Sequence, residues 1–421
     1  MMAGLYRLAT VAAEPFAPLL LRLRLLRGKE DEARMAEKLG RGQGQRPDGR
    51  LVWVHGASVG ESLSALPLIE RIAATGANVM VTTGTTTSAG IMARRLPQGC
   101  FHQYAPLDGP RAVTRFFERW RPDAALWVES ELWPNLLAEA RRRKVPTALV
   151  NGRMSPRSFA RWRRLPSLAR AMIAGFEVVL AQSDADGARL TALGARHVVT
   201  GGDLKAAAMP LEADNAALAR VQDAVGRRPT WLAVSTHEGE ERLAADVHRK
   251  IARSIPGLLT VIVPRHADRG DAIETDLTDR GFGVVRRSRN ELPGPQADIF
   301  LGDSMGEMGL YLRLGNPVFV GKSLLHEGGH NPREPALLGR AVLFGPHMEN
   351  FIQAANDLMA ASGAIQVADA ATLAALVGRL LQDAEAVAAM GAAGQARAEA
   401  DASGILDAVY RALAPVVEAK G

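Results

Sequence analysis

The sequence predicts an α/β fold made of two Rossmann-like, doubly wound domains that face a cleft. Short, nearly continuous apolar runs alternate with longer helical patterns, which is typical of parallel strands covered on both faces. The alternation stops in an alanine-rich stretch and then starts again, which indicates a second unit of the same kind. The 421 residues, 47% of them hydrophobic, supply enough apolar material for two cores.

The predicted strands fall into two series. The first series comprises residues 51–55, 78–83, 124–128, 147–151, 178–182 and 198–201. The second comprises residues 231–235, 258–263, 283–287, 299–302, 317–321 and 341–345. We therefore assign residues 51–205 to an N-terminal domain, 206–228 to an interdomain linker and 229–421 to a C-terminal domain that ends in helices.

Composition narrows the setting in which the protein works. Cys100 is the single cysteine, so the chain cannot form an internal disulfide or a cysteine zinc site, and a reducing, cytosolic environment is favoured. The formal net charge is +6, and ten basic residues with no acidic residue lie between positions 141 and 170. Such a stretch suits a polyanion, a phosphorylated ligand or an anionic bilayer, or else forms a solvated surface.

Residues 1–50 are expected to associate with a membrane. The apolar stretch 5–26 is interrupted by charged residues and prolines, so neither a spanning helix nor a signal peptide is expected. Leucines interleaved with Arg22, Arg24 and Arg27 are typical of a helix that lies in a membrane interface. The alternative is a helix packed on the protein itself.

A glycine-rich turn after the first predicted strand places Glu61 at the start of a helix. A carboxylate in this position could act as a general base toward a hydroxyl, although stabilisation of the helix start explains it equally well. The same turn matches G-x-S-x-G. Ser58 is therefore a competing candidate, as the nucleophile of an α/β-hydrolase with Asp303 and His330 as partners.

Further acidic residues follow later strands of the first series. Glu129 directly follows the run 124–128, so acidic residues after two different strands are expected to converge on one cleft. Such paired carboxylates can take different chemical roles when their surroundings push their pKa values apart. Asp184 and Asp186 resemble the D-x-D metal clamp of some sugar transferases. Capping of the helix that follows is the better explanation for this pair.

The second series ends its strands with groups suited to phosphate and ribose. Arg265 and His266 form a cationic fork after one strand. The segment 303–308 could present backbone groups at a helix start, and Glu334 could accept hydrogen bonds from both hydroxyls of a ribose. The chain lacks the phosphate-binding loop motif of the P-loop NTPases. A nucleotide-sugar donor in the second domain is the best inference from these residues.

Five segments together resemble the Kdo transferases, which attach 3-deoxy-D-manno-octulosonic acid (Kdo) to the lipid A precursor in Gram-negative bacteria. The resemblance covers nearly the whole chain, with the segments in family order. They are residues 57–61 (Ala-Ser-Val-Gly-Glu), 129–135 (Glu-Ser-Glu-Leu-Trp-Pro-Asn), 264–266 (Pro-Arg-His), 305–307 (Met-Gly-Glu) and 328–335 (Gly-Gly-His-Asn-Pro-Arg-Glu-Pro).

The resemblance implies a glycosyltransferase-B fold and inverting transfer of Kdo from CMP-Kdo to the 6′-hydroxyl of lipid IV-A in lipopolysaccharide biosynthesis. It implies that Glu61 is the base and that Glu129 and Lys205 assist at the transition state. The residues implied to hold CMP are Pro264, Arg265, His266, Met305, Gly306, Glu307, Asn331, Pro332, Arg333 and Glu334. The first domain would bind the acceptor and the second CMP-Kdo, with no metal, other cofactor or nucleic acid involved.

The same resemblance suggests a use for the basic stretch. Arg161, Arg163 and Arg164 are expected to meet acceptor phosphates and an anionic membrane surface, at the cytoplasmic face of the bacterial inner membrane. Asp203 and Lys322 depart from the family pattern, which usually has asparagine and glycine there. A catalytically decayed lipid- or nucleotide-binding scaffold is therefore a further alternative.

Overall fold

The computed structural model describes residues 2–130, 132–207 and 210–418, without the side chains of Ala3, Lys205 and Ala206. The chain divides into two compact units. The first unit comprises Met1–Ala208 and Ala402–Gly421, and the second comprises Met209–Asp401. In the described part, each unit is built around one seven-stranded sheet whose strands pair in parallel.

The first sheet has the strand order β3-β2-β1-β4-β5-β6-β7, so the direction of winding reverses between β1 and β4. Its strands are β1 Leu51–His55, β2 Asn78–Thr83, β3 Cys100–Tyr104, β4 Ala124–Val128, β5 Thr147–Gly152, β6 Val178–Ala181 and β7 Val198–Thr200. The helices are α1 Met2–Ala13, α2 Ala17–Leu25, α3 Val59–Ser64, α4 Leu66–Ala73, α5 Thr86–Arg95, α6 Pro110–Trp120, α7 Pro134–Arg142, α8 Pro156–Trp162, α9 Pro166–Ile173 and α10 Asp184–Ala192, with 3-10 turns at Glu14–Phe16, Met35–Leu39 and Leu204–Ala207.

The second sheet has the order β10-β11-β9-β8-β12-β13-β14, and its reversal lies between β8 and β12. Its strands are β8 Thr230–Thr236, β9 Leu259–Pro264, β10 Val284–Arg286, β11 Ile299–Leu301, β12 Val318–Val320, β13 Val342–Phe344 and β14 Ala364–Gln366. The helices are α11 Asn215–Val225, α12 Glu240–Ile251, α13 Gly270–Asp279, α14 Met308–Tyr311, α15 Arg333–Ala336, α16 Ile352–Ala360, α17 Ala370–Gln382 and α18 Ala384–Val417, with 3-10 turns at Ala267–Arg269 and Arg287–Arg289.

Each sheet is covered on both faces, which explains the nearly continuous apolar runs. In the first unit, Trp53 and Trp127 pack in one cluster with residues of α6, α7 and α9. Val52 and Val54 point to the opposite face and pack with residues of α4. The side chains of adjacent strand residues thus pack into two separate core layers, one on each face of the sheet, as the two-residue period of a strand requires.

The expected domain boundaries need two corrections. The segment 206–228, expected to be a linker, contains α11, whose Val221 and Val225 are buried in the core of the second unit. The second unit was also expected to continue to residue 421. Instead Val409, Leu413 and Val416 are buried in the core of the first unit, because the end of α18 packs on the layer that contains Val52.

The N-terminal helices pack on the first unit and still expose apolar side chains. The Glu14 carboxylate accepts hydrogen bonds from the backbone N–H groups of Arg111 (3.1 Å) and Ala112 (2.7 Å) at the start of α6. The exposed apolar side chains of this segment are Leu5, Leu8, Val11, Phe16, Leu19, Leu20, Leu23 and Leu26. Across the described residues, none of the helices has both the length and the apolar character needed to span a bilayer.

Candidate functional site

In the first unit, Glu61 is fixed by a capping box at the start of α3. Ser58 is the N-cap, and its Oγ atom accepts a hydrogen bond from the Glu61 N–H (3.4 Å). The Glu61 Oε2 atom in turn accepts from the N–H groups of Ala57 (2.7 Å) and Ser58 (3.3 Å). The capping box confirms that Glu61 stabilises the helix start, and the same hydrogen bonds set the direction of its carboxylate, while its role as a general base stays a prediction.

Glu129 directly follows β4 and has a left-handed backbone, with φ at +61°. A residue with a side chain pays about 1–2 kcal/mol for this conformation, and such strain concentrates at functional sites. The Glu129 N–H donates to the Val150 carbonyl of β5 (2.9 Å), which holds the turn against the sheet.

The backbone of Lys205 lies in the 3-10 turn Leu204–Ala207, while its side chain is outside the described part of the structure. This turn is tied to the end of β5, because the Asn151 Oδ1 atom accepts a hydrogen bond from the Leu204 N–H (2.9 Å). Asn151 is itself left-handed, with φ at +56°. The end of β5, next to β4, thus positions the segment that carries Lys205.

The competing hydrolase hypothesis finds no support in these geometries. Ser58 has an ordinary extended backbone (φ −111°, ψ 166°), whereas a nucleophile elbow is sharply strained. Asp303 accepts hydrogen bonds from Arg286 (2.8 Å) and Ser288 (2.7 Å), while His330 contacts His237. The acid and the histidine of the supposed triad are therefore engaged with other partners.

The second unit contains a cavity of about 400 Å³ at the carboxyl ends of its strands. This volume and position suit a nucleotide in a doubly wound sheet. Its lining residues are Leu211, Ser235, Val263, Pro264, Arg265, Ser304, Met305, Gly306, Met308, His330, Asn331, Glu334 and Phe351. Six of the residues expected to hold CMP are among them: Pro264, Arg265, Met305, Gly306, Asn331 and Glu334.

The polar lining of this cavity includes one cation, Arg265, and one half-buried acid, Glu334. Burial raises the pKa of Glu334, and its hydrogen bond with Asn331 and the charge of Arg265 offset part of that rise. A carboxylate held in this way can accept hydrogen bonds from hydroxyl groups, while Arg265 can pair with a phosphate. The Arg265 N–H donates to the Thr236 carbonyl (3.0 Å), which joins the ends of β8 and β9.

Four residues expected to hold CMP are not in the cavity lining. The Glu307 carboxylate pairs with Arg287 (2.6 Å), and the Arg333 guanidinium donates to Asp401 (3.0 Å). Both side chains therefore support the cavity loops. Pro332 is buried beside Asn331, and His266 is exposed next to the cavity. The Arg333 side chain also pairs with Asp357 at 3.5 Å.

Sequence reasoning did not select Ser235 or His237 as site residues, and it considered His330 only as a partner of Ser58 in the hydrolase alternative. Ser235 lies at the end of β8 with φ at +55° and lines the cavity. The Nε2 atoms of His237 and His330 are 3.0 Å apart, and their rings stack. His330 lies within the glycine-rich segment 328–335, so its neighbours could have pointed to it. No comparable signal marks His237.

The three arginines expected to meet an anionic surface, Arg161, Arg163 and Arg164, are all exposed at the end of α8. Arg163 lies over the ring of Phe159, 5.7 Å from its centre. Other members of the basic stretch are engaged within the protein, since Arg142 and Arg143 pair with Glu139.

Two doubly wound units with parallel sheets, one holding a nucleotide-sized cavity at its strand ends, define a fold of the glycosyltransferase-B type. Among solved structures, the fold is similar to that of a glycosyltransferase from Rickettsia africae, at a TM-score of 0.58 and 9% sequence identity, covering 89% of this chain and 100% of that one. The predicted α/β fold class is thereby confirmed.

Sequence comparison narrows this class to one family. Residues 33–208 match the family model described as 3-Deoxy-D-manno-octulosonic-acid transferase (kdotransferase). The 3-deoxy-D-manno-octulosonic acid transferase of Rickettsia bellii is 30% identical, covering 87% of this chain and 88% of that protein. The enzyme of the same name from Bordetella pertussis is 36% identical, covering 76% and 77%. The chain belongs to the 3-deoxy-D-manno-octulosonic acid transferase family, as the five sequence segments indicated.

Proposed function

We propose that this protein transfers Kdo from CMP-Kdo to the 6′-hydroxyl of lipid IV-A, with inversion at the anomeric carbon. The observation that carries the proposal is that the loops bearing Glu61 and Glu129 follow neighbouring strands, β1 and β4, where the strand order of the first sheet reverses. Doubly wound sheets bind their ligands at this place. Family membership supports Kdo as the transferred sugar.

In the proposed reaction, Glu61 accepts the proton of the acceptor hydroxyl as the oxygen attacks the anomeric carbon of Kdo. The bond between that carbon and the phosphate oxygen breaks, and its electron pair leaves with CMP. Arg265 is proposed to hold the phosphate and Glu334 the ribose, because both line the same cavity. Glu129 and Lys205 are proposed to stabilise charge in the transition state.

The capping box provides a sharp test of Glu61 as the base. Glutamine serves in the same position of a capping box, so Glu61→Gln keeps the helix start and removes the basic carboxylate. We expect the transfer rate to fall by about 10²–10⁴-fold, while the affinity for CMP stays unchanged. Mass spectrometry of lipid IV-A incubated with CMP-Kdo measures transfer, and calorimetry measures CMP binding.

Ser58→Ala is the matched control in the same turn. It removes the N-cap at a cost of about 1 kcal/mol and leaves Glu61 in place, so transfer should change by only a few fold. Near-normal transfer by Glu61→Gln would refute the base assignment. Loss of activity in Ser58→Ala, with labelling by a serine-directed phosphonate, would support the hydrolase instead. CMP binding by the wild type without any transfer would identify a decayed scaffold.

We also propose that the protein lies on the cytoplasmic face of the inner membrane through its first unit. The exposed leucines of α1 and α2, such as Leu8 and Leu23, can enter the acyl boundary of a bilayer, and the exposed arginines at the end of α8 can meet its phosphates. Reversing the charges of Arg161, Arg163 and Arg164 should weaken sedimentation with anionic liposomes at low salt and leave binding to neutral liposomes unchanged. Equal binding to anionic liposomes before and after reversal would exclude a role for these arginines.

A further inference from the structure

In the second unit, basic side chains gather where the strand order reverses, beside the cavity. His237 follows β8 and Lys322 follows β12, and these two strands are neighbours in the sheet. The buried Glu240 joins the two turns, because its Oε2 atom accepts hydrogen bonds from the N–H groups of His237 (2.9 Å) and Lys322 (2.7 Å). The point of reversal is the usual ligand position of such a sheet.

The group is rich in cations and imidazoles. His237 lies 3.0 Å from His330 through their Nε2 atoms, and the rings of His266 and His326 lie within 6 Å of the His237 ring. Burial, and after it the charge of Lys322, lowers the pKa of His237. Burial and the neighbouring cationic groups His237, Arg265, Lys322 and His266 lower the pKa of His330 to about 4.

The acids that face this group are each held by other groups of the protein, although the buried Glu240 Oε1 atom has no hydrogen-bond partner among the described residues. Glu240 accepts from the two backbone N–H groups, Glu241 pairs with Arg269 (2.8 Å), and Glu334 is bonded to Asn331. Lys322 therefore supplies a positive charge to this group, and the two paired imidazoles supply hydrogen-bonding nitrogens. Such a combination suits an anion that enters from outside.

Lys322 is held in a backbone conformation that glycine would adopt without cost. Its φ is +58°, and its carbonyl accepts a hydrogen bond from the Gly329 N–H (2.8 Å). A Cβ atom at Gly328 would lie 3.5 Å from the Lys322 Nζ atom, so the ammonium group lies over the glycine-rich segment that leads to His330. The chain thus tolerates local strain to place an ammonium group here.

We propose that Lys322, His237 and His330 form a second anion-binding position beside the nucleotide cavity, and that it binds the carboxylate of the donor sugar. The inference rests on the proposed function. In a CMP ester of a 2-keto sugar acid, the carbon bonded to the phosphate oxygen also carries the carboxylate. A donor phosphate held at Arg265 therefore brings a second negative charge close to it, and a neutral sugar would leave Lys322 without an anionic partner.

The first test compares Lys322→Gly and Lys322→Asn with the wild type. Both replacements accept a left-handed backbone, so the fold is kept. Calorimetry should give a Kd for CMP within twofold of the wild-type value. The KM for CMP-Kdo, and the Kd for free Kdo added to the CMP-loaded protein, should rise about tenfold or more, as expected for a lost charge-assisted hydrogen bond.

Lys144→Gly is the matched control, since Lys144 is an exposed lysine of the first unit with φ at +56°. It should leave both CMP and Kdo binding unchanged. A second variant, His237→Gln, keeps a hydrogen-bonding side chain that does not titrate. In the wild type, Kdo affinity should increase as pH falls, because carboxylate binding favours a protonated imidazole, and this pH dependence should weaken in His237→Gln.

Each outcome decides between specific explanations. If Lys322→Gly weakens CMP and Kdo binding by the same factor, the ammonium group serves the nucleotide phosphate and the proposal is overturned. If it weakens neither, the position binds no anion and the proposal is overturned, while transfer by the wild type would still support the proposed function. If the wild type binds Kdo beside CMP through Lys322 and yet transfers none, the anion position stands and the proposed function fails.

Discussion

Two buried aspartates, one in each unit, occupy similar places and differ in charge environment. Asp108 lies in the loop after β3 and is 7% exposed, and Asp303 follows β11 and is 4% exposed. The donors to the Asp108 carboxylate are uncharged, namely the N–H groups of Asn135 (3.0 Å) and Leu136 (2.9 Å) and the Tyr6 hydroxyl (3.0 Å). Burial therefore dominates and raises the pKa of Asp108 to about 6.

Asp303 is also buried, and burial alone would raise its pKa. Hydrogen bonds from Ser288 and Arg286, together with the Arg286 charge, outweigh burial and lower the pKa of Asp303. The comparison shows that the two units hold these loops by different means. In the first unit an acid caps the start of α7, and in the second an ion pair supports the cavity loop that begins at Ser304.

Removal of the buried cation should produce the largest effect. Arg286→Met leaves the buried Asp303 carboxylate without its cation and should lower the free energy of unfolding by about 3–5 kcal/mol, with weaker CMP binding. Urea unfolding measures the first effect and calorimetry the second. Arg289→Met is the control, because Arg289 is half-exposed and pairs with Glu274 at the surface, where a pair contributes about 1 kcal/mol or less. Equal losses in the two variants would contradict the assigned role of Arg286.

The contributions of the two aspartates to the free energy of unfolding should depend on pH in opposite directions. Between about pH 4 and 6 the folded state keeps a proton on Asp108 that the unfolded chain has released, so the stability of the first unit should fall as pH rises, by on the order of 2–3 kcal/mol. The contribution of Asp303 is present above its unfolded pKa, about 3.9, and is lost only as pH falls through its lower folded pKa.

Native-state hydrogen exchange separates these two contributions. The amide of Leu136 reports on Asp108, and the amide of Ser288, which donates to Asp303 (2.9 Å), reports on the second unit. The Asp108→Asn substitution should abolish the change in hydrogen-exchange protection of the Leu136 amide between pH 4 and 7. It should leave the protection of the Ser288 amide unaffected. A common pH dependence at both amides would show that the two aspartates do not control their own loops.

The smallest effect concerns backbone strain. Glu129→Gly should raise the free energy of unfolding by about 0.5–1 kcal/mol, because glycine adopts φ at +61° freely, while transfer falls more than tenfold with loss of the carboxylate. Ser362→Gly changes an exposed residue of the second unit with φ at +60° and should give the same stabilisation with normal transfer. Thermal unfolding and the lipid assay measure the two effects. A destabilised Glu129→Gly would argue against strain at this turn.

Most of the fold could be predicted because central strands are buried on both faces and leave continuous apolar runs. The edge strands β3 and β14 were missed because Cys100 and Phe101 are only partly covered and Gln366 is exposed, so neither strand forms a continuous apolar run. Glu61 and Arg265 could be selected because each follows a readable strand. The pairing of His237 with His330 could not, because it depends on which strands become neighbours in the sheet.

The packing of residues 402–417 determines the order in which the protein can mature during translation. The second unit is continuous in sequence, so it has all its residues once position 401 has been made. The first unit, although it begins the chain, lacks Val409, Leu413 and Val416 until later, and the layer around Val52 stays open to solvent. Folding of the first unit on the ribosome therefore has to wait for residues 402–417, and a nascent chain must keep this apolar layer from aggregating until they are made.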